Sequence, residues 1–424
     1  MSFENFGLIP ELLKAVKAQG YEEPTPIQNK AIPAIFEGRN ILASAQTGTG
    51  KTAAFALPLL QILSKNPSLK KRRRPRLLIL VPTRELADQV GKNIQAFGRL
   101  LSLRSTVIYG GVKVDPQIDK LKRGVDIIVA TPGRLLDHAY NYTVDLSRVE
   151  FLVFDEADRM LDMGFIENIA EMLDYLPPER QNLMFSATYP KAIKELADSV
   201  IENPLHIEVS KLNTTASDIR QFIHPVERDR KRALLYNLII DERWNQVLVF
   251  TRTRKKADKL AKQLKSDGIN TAALHSEKTQ SIRTKILEDF KKGKIRALIA
   301  TDVAARGLDI NDLPYVVNFD LPDVPEYYVH RIGRTGRAGL NGIAISFVCR
   351  DDADNLTKIQ EFIKQKISVK KIEGFDMERI KKKPSKKISS SKSKIENKTK
   401  GKGKKVKKIE KGKPKEVQKK SVWS

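Results

Sequence analysis

Cysteine is nearly missing from this chain: Cys349 is the only one among 424 residues. That excludes an internal disulfide framework and a cysteine-based zinc site, and five scattered histidines form no ligand cluster for a structural metal. Long apolar runs are missing too. Nothing approaches the roughly 20 residues of a membrane-spanning helix, and the opening MSFENFGLIPELL lacks the basic-then-apolar order of a secretory leader. A soluble, cytoplasmic chain without membrane contact is therefore expected. Acidic residues are also in deficit, 51 against 77 Lys and Arg, for a net charge of +26. The excess is uneven: Lys381–Ser424 holds 19 Lys and 3 Glu, a net +16, which leaves +10 for residues 1–380. Both parts call for a polyanionic partner.

What is present is enough to fold. An apolar content of 41% over 424 residues suffices for two or three packed domains. The chain is organised around Ala45–Thr52, AQTGTGKT. An apolar run, Asn40-Ile41-Leu42-Ala43, precedes it and a helical pattern from Ala53 follows, the strand, loop and helix setting of a phosphate-binding loop. Gly48 and Gly50 let backbone N–H groups converge, the helix N-terminus adds positive potential, Lys51 reaches the outer phosphates and Thr52 offers Mg²⁺ a hydroxyl. Ala45 stands where that pattern has its first glycine. The pair Asp155-Glu156, directly after the apolar Phe151–Phe154, is the chemical counterpart. One carboxylate suits Mg²⁺ held through water, and its neighbour suits orienting and deprotonating an attacking water.

In chain order, Pro10–Gly20 has the spacing of a short amphipathic helix. GYEEPTPIQ then presents Gln28, whose amide either caps a helix or reads the N6/N7 edge of an adenine. Lys70–Arg76, KKRRRPR, is a solvated loop or a polyphosphate contact. The apolar runs Leu77–Val81, Asp126–Ala130, Phe151–Phe154 and Leu183–Phe185 empty into PTRELADQ, TPGR, DEAD and SAT. Polar clusters at strand carboxyl ends are how a doubly wound parallel sheet builds a site. After a polar stretch, strand-like runs resume at Val247–Phe250, Thr271–Leu274, Ala297–Ala300 and Val316–Phe319, with no second phosphate loop. There, Arg331, Arg334 and Arg337 either project along one face towards phosphate or form a solvated helix face. The expected organisation is α/β: a doubly wound domain at 1–210, with the Gln28 segment at 1–29, a linker at 211–218, a second domain at 219–367, and a disordered lysine-rich tail at 368–424.

Together these residues resemble the DEAD-box family of RNA helicases over roughly Phe3 to Ile367. The match runs through GYEEPTPIQ with Phe3 upstream, AQTGTGKT, PTRELADQ, Gly110-Gly111, TPGR, DEAD, SAT, ATDVAARGLDI and HRIGRTGR. The wording around DEADRMLDMGF looks most like the bacterial RhlE-type branch. The resemblance implies tandem RecA-like domains that close on ATP, Mg²⁺ and single-stranded RNA. It implies that Phe3 stacks on adenine beside Tyr21 and that Gln28 reads the base edge. Ala45, Gln46, Thr47, Gly48, Thr49, Gly50, Lys51 and Thr52 would wrap the phosphates, Asp155 would hold the metal's water shell, and Glu156 would be the catalytic base. Ser186, Thr188, His330 and Arg331 would tie the DEAD and SAT segments to closure. Gly307 and Asp309 would reach the nucleotide, and Arg334 and Arg337 would act as arginine fingers.

Contacts to the RNA backbone are implied for Arg84, Gly111, Thr131, Arg134, Arg252, Arg283 and Thr301. One departure is Ser276 after His275, where the family often has glycine; a required positive φ there would reshape the loop before Arg283. ATP-driven local RNA unwinding by a monomer is expected, with ribosomal or RNA-decay proteins as partners. The alternatives are a DNA-translocating relative, and an RNA-annealing protein with a clamp-like ATPase in which the lysine tail does the work.

Overall fold

Apolar tetrads too short to alternate, such as Leu77–Leu80 and Val247–Phe250, are buried along their whole length, as strands covered on both faces must be. In the computed structural model, which describes residues 2–45, 49–66, 73–189, 191–209, 219–305, 310, 313–336 and 342–375, such strands form two wholly parallel sheets of seven. The first holds β1 (Ile41–Ser44), β2 (Leu77–Leu80), β3 (Ser105–Ile108), β4 (Ile127–Ala130), β5 (Phe151–Asp155), β6 (Gln181–Ser186) and β7 (Leu205–Glu208). Their order is β3-β4-β2-β5-β6-β1-β7. The second holds β8 (Ile219–Pro225), β9 (Val247–Phe250), β10 (Thr271–Leu274), β11 (Ala297–Ala300), β12 (Tyr315–Asn318), β13 (Gly342–Val348) and β14 (Ser368–Val369). Its order, β10-β11-β9-β12-β13-β8-β14, repeats the first strand for strand. This is the architecture of tandem RecA-like lobes.

Each sheet is sandwiched between apolar layers. On one face of the first, Ile79, Val129 and Val153 pack with Leu86, Val90 and Ile94 of the helix Arg84–Phe97. On the other, Leu78, Ile128 and Leu152 pack with Leu135, Met160 and Ile193. Thr83 starts the helix Arg84–Phe97 by accepting a hydrogen bond from Leu86 N–H at 3.2 Å, a standard N-cap. The chain therefore turns sharply at the carboxyl end of β2.

Three expectations change. The basic run's described arginines are taken up by carboxylates: Arg73 by Asp126 at 2.5 Å, Arg74 by Asp145 at 3.1 Å and Arg76 by Glu150 at 2.6 Å. On this described part of the run the polyphosphate alternative is lost to the lobe's own carboxylates, while Lys70, Lys71 and Arg72 lie outside the described residues. The tail does not begin at 368, because Ser368–Val369 pair with β8, and Phe375 is buried in the second lobe's core beneath Arg230. A two-residue strand is too short to leave a periodic signal. Ser276 does not adopt a positive φ, so it adds no strain before Arg283. The linker 211–218 and the chain beyond 375 lie outside the described residues. No helix among the described residues is long and apolar enough to cross a membrane.

Candidate nucleotide and RNA site

The carboxyl ends of β1, β5 and β6 lie side by side. Ala45 continues β1, donating its N–H to Ser186 O at 3.0 Å, and its side chain is buried. An alanine fits here because this position still belongs to the sheet rather than the turn. Gly50 closes the loop at φ 88° and opens the helix Lys51–Lys65. A Cβ on Gly50 would lie 2.4 Å from Gln28 Nε2, so glycine is required twice over. Thr49 precedes it and Thr52 sits in the first helical turn. Gln46, Thr47 and Gly48 lie outside the described residues.

Lys51 Nζ stands 3.6 Å from Asp155 Oδ1, and both side chains are buried. Neither atom has a hydrogen-bond partner among the described residues. An ammonium and a carboxylate facing each other out of water without hydrogen bonds match a phosphate and a divalent cation respectively. Burial pushes the Asp155 carboxyl up, to about 6, against the pull of Lys51. The next residue, Glu156, sits at φ 60°, ψ 51°, in the left-handed region. Its Oε2 accepts from Arg159 Nη1 at 2.5 Å, with both groups buried. A glutamate held at positive φ by a buried guanidinium is a strained, oriented group of the kind found where chemistry is done.

Asp158 and β6 interlock beside this pair. Asp158 Oδ2 accepts from the N–H and the hydroxyl of Thr188, each at 3.0 Å, and Asp158 N–H donates to Ser186 Oγ at 3.2 Å. Across from them, His330 and Tyr327 of the helix Pro325–Ile332 line, with Asp158 and Thr188, a cavity of about 920 Å³. Phe3 is buried against Phe6 and Tyr21, its ring inclined 20° to that of Tyr21 with centroids 6.5 Å apart. Gln28 Oε1 accepts from Thr25 N–H at 2.9 Å and Nε2 donates to Gly50 O at 3.1 Å. The helix-capping alternative is thus realised, and the amide also touches the phosphate loop. One lone pair and one N–H remain on it.

A second constellation joins the lobes. A Cβ on Gly111, at φ 76°, would fall 2.1 Å from Arg84 Nη1, so the guanidinium lies directly against this glycine. Burial lowers the Arg84 pKa. Arg134 Nη1 donates to Val112 O at 3.3 Å, and Thr131 precedes its helix. Next to Arg84, Glu85 receives two side chains from the second lobe: Arg283 Nε at 2.8 Å, as an ion pair not aligned for a hydrogen bond, and Gln280 Nε2 at 3.1 Å. Thr301 is buried at the end of β11. Arg252 follows β9 and is engaged by Asp323 at 3.3 Å and Leu321 O at 3.3 Å.

The chain matches the DEAD/DEAH box helicase family over residues 25–196 and the helicase conserved C-terminal domain over residues 230–339. It is 43% identical over 371 residues to the ATP-dependent RNA helicase RhlB of Pseudomonas syringae, spanning 86% of this chain and 94% of that protein. It is 42% identical over 368 residues to the DEAD-box ATP-dependent RNA helicase RhpA of Helicobacter pylori, spanning 87% and 74%. The chain belongs to the DEAD-box helicase family. Among solved structures, S. cerevisiae Dbp5 bound to RNA and ADP BeF3 aligns with 33% identity and a TM-score of 0.78, over 87% of this chain and 95% of that one. A DEAD box protein from Methanococcus jannaschii aligns at 40% identity with a TM-score of 0.51, over 87% and 99%.

In this DEAD-box helicase the arginine string divides. Arg331 does not reach the DEAD or SAT segment. Its guanidinium is buried within the second lobe, doubly bound to Asp302 at 2.6 and 2.7 Å, donating to Asn318 Oδ1 and Asp320 O, and stacked over Phe250. The helix ends at Ile332, so Arg331 and Arg334 share no helical face. Arg334 is buried beside His330 and Arg331. Gly307, Asp309 and Arg337 lie outside the described residues. The roles of Arg159, Asp158 and Glu85 emerge only from the structure. All three sit inside quoted motifs, and a charged residue at i+3 from Glu156 was the available signal.

Proposed function

We infer that this chain is an ATP-dependent RNA helicase that couples ATP hydrolysis to local duplex opening through closure of its two lobes. The observation that carries the reading is the buried Lys51 and Asp155 pair beside Glu156. Lys51 binds and neutralises the outer phosphates, and Gly50 and Thr49 present loop N–H groups to them. Asp155 and Thr52 would hold Mg²⁺, which when bound would supply neutralisation of phosphate charge. Glu156, aimed by Arg159, accepts a proton from the attacking water. Arg334 and Arg337 supply positive charge from the second lobe, with Gly307 and Asp309 beside them, a contribution of about 10³ to 10⁵ in rate for such groups. His330 reports closure to Asp158 and Thr188 across their shared cavity.

RNA runs over Arg84, Gly111, Thr131 and Arg134 on one lobe and Arg252, Arg283 and Thr301 on the other. Contacts to phosphates and 2′-hydroxyls make binding largely indifferent to sequence. The protein acts as a monomer in the cytoplasm, alongside ribosomal or RNA-decay proteins, and its wording around the DEAD segment supports an RhlE-type subgroup. The test is ATP hydrolysis with and without single-stranded RNA or DNA. Strong stimulation by RNA alone in the wild type, and ATP binding without turnover in Glu156→Gln, are expected. RNA binding with no hydrolysis in the wild type would instead make this an annealing protein.

A further inference from the structure

Gln61 is the polar exception in LPLLQIL, the apolar stretch of the phosphate-loop helix, and it is 3% exposed. Its amide is used at both ends. Oε1 accepts from Ile9 N–H at 2.8 Å and Nε2 donates to Gly7 O at 2.9 Å. A carbonyl and an N–H two residues apart are what a neighbouring strand residue satisfies in a parallel ladder, so this side chain replaces a strand neighbour. Among the described residues, the hydrogen bonds that residues 2–9 make beyond their own turn and the helix Pro10–Ala18 both go to Gln61.

That segment carries Phe3. The short helix Phe3–Phe6 ends at Gly7, φ 66°, and the chain then passes Gln61 into Pro10–Ala18. The other end of Gln61's helix is Lys51, ten residues back or about 15 Å along the axis. One rigid helix therefore holds the phosphate ligand at its start and the aromatic platform at its third turn. We propose that Gln61 is a positioning residue for base recognition, fixing the Phe3 segment to the phosphate-loop helix so that base and triphosphate are bound in register. The proposal rests on the reading of Phe3 as the adenine platform.

The test is calorimetry on the full chain with Mg²⁺, titrating ADP, GDP and base-free tripolyphosphate into wild type, Phe3→Ala, Gln61→Met and the double variant. Gln61→Met keeps the volume and removes both hydrogen bonds. It is expected to weaken ADP about tenfold, to narrow the preference for ADP over GDP, and to leave tripolyphosphate binding and kcat at saturating ATP unchanged. The double variant is expected to bind ADP no more weakly than Phe3→Ala. Equal loss for ADP and tripolyphosphate, or additive loss in the double variant, would overturn the proposal. Unchanged ADP binding in Gln61→Met beside a weakened Phe3→Ala would sink the clamp alone, whereas unchanged binding in Phe3→Ala would remove the adenine platform and the clamp with it. If Gln61→Met does not fold, Gln61→Glu keeps the acceptor for Ile9 N–H and, once ionised, removes only the hydrogen bond to the Gly7 carbonyl, so a smaller loss of ADP affinity with tripolyphosphate binding unchanged is expected, and equal loss for the two would overturn the proposal.

Discussion

The contact between Glu85 and Arg283 joins the two lobes beside the proposed RNA path, so its loss should appear in RNA coupling rather than in chemistry. The charges are 2.8 Å apart with side chains 9% and 11% exposed, and Gln280 adds a hydrogen bond to the same oxygen at 3.1 Å. Close charge pairs across an interface couple by about 1.5 kcal/mol or more, and the poor hydrogen-bond alignment keeps this one near the low end, about 2 kcal/mol or a factor of about 30. The assay is the RNA concentration giving half-maximal ATPase stimulation in wild type, Glu85→Ala, Arg283→Ala and the double variant. Any direct phosphate contact by Arg283 cancels in this cycle. Both singles should require more RNA, the double should fall short of their product by about that factor of 30, and RNA-free turnover should stay level. Burial predicts that the coupling survives raised salt. A coupling within about 0.3 kcal/mol of zero, or an equal drop in RNA-free turnover, would refute the reasoning.

Gly111→Ala sets a Cβ against Arg84 and forces an L residue to φ 76°, so RNA affinity measured by fluorescence anisotropy should fall about tenfold while ADP affinity holds. Gly50→Ala costs about 1–2 kcal/mol for the left-handed backbone and displaces the Gln28 amide; a lower Tm and loss of ADP binding by calorimetry are expected. Asp320 is buried, and burial alone would raise its pKa. The Arg252 N–H with the ammoniums of Lys231 and Lys256 outweighs that and holds it below the ordinary value. A carboxyl depressed in the folded state stabilises above its unfolded pKa, near 3.9, and loses that contribution as pH falls through the folded value. Thermal melts of the second lobe's transition between about pH 5 and pH 2 should therefore steepen in wild type and flatten in Asp320→Asn.

Strands that end in motifs were readable because they are short apolar blocks meeting polar clusters: β2, β4, β5, β9, β10 and β11 lie within a residue or two of their expected bounds. The edge strands β3, STVI, and β7, LHIE, leave no clear signal in the sequence, since half-buried edges alternate too briefly to separate from loops. The lobe-internal role of Arg331 is invisible in the sequence because a spacing of three suggests one helical face, while the helix stops at Ile332 and Asp302 waits nearly thirty residues upstream. Gln61 is findable: one amide inside the otherwise apolar stretch Ala53–Leu63 has to be satisfied by something. Which backbone it would bind was a tertiary fact. Residues 370–375 mislead for the opposite reason, as their lysines and glycine mask the anchors Ile372 and Phe375.

The left-handed backbone at Glu156 sets two selective pressures against each other. A non-glycine residue at φ 60° carries a conformational cost of about 1–2 kcal/mol, and its buried carboxylate obliges Arg159 to be buried with it. Glycine at 156 would release the backbone cost. A library of variants sorted only for cellular abundance should therefore enrich glycine at this position, and the same library sorted for RNA-stimulated turnover should reject it. Comparing the two enrichments position by position would mark where the fold is kept less stable than it need be for the sake of the reaction.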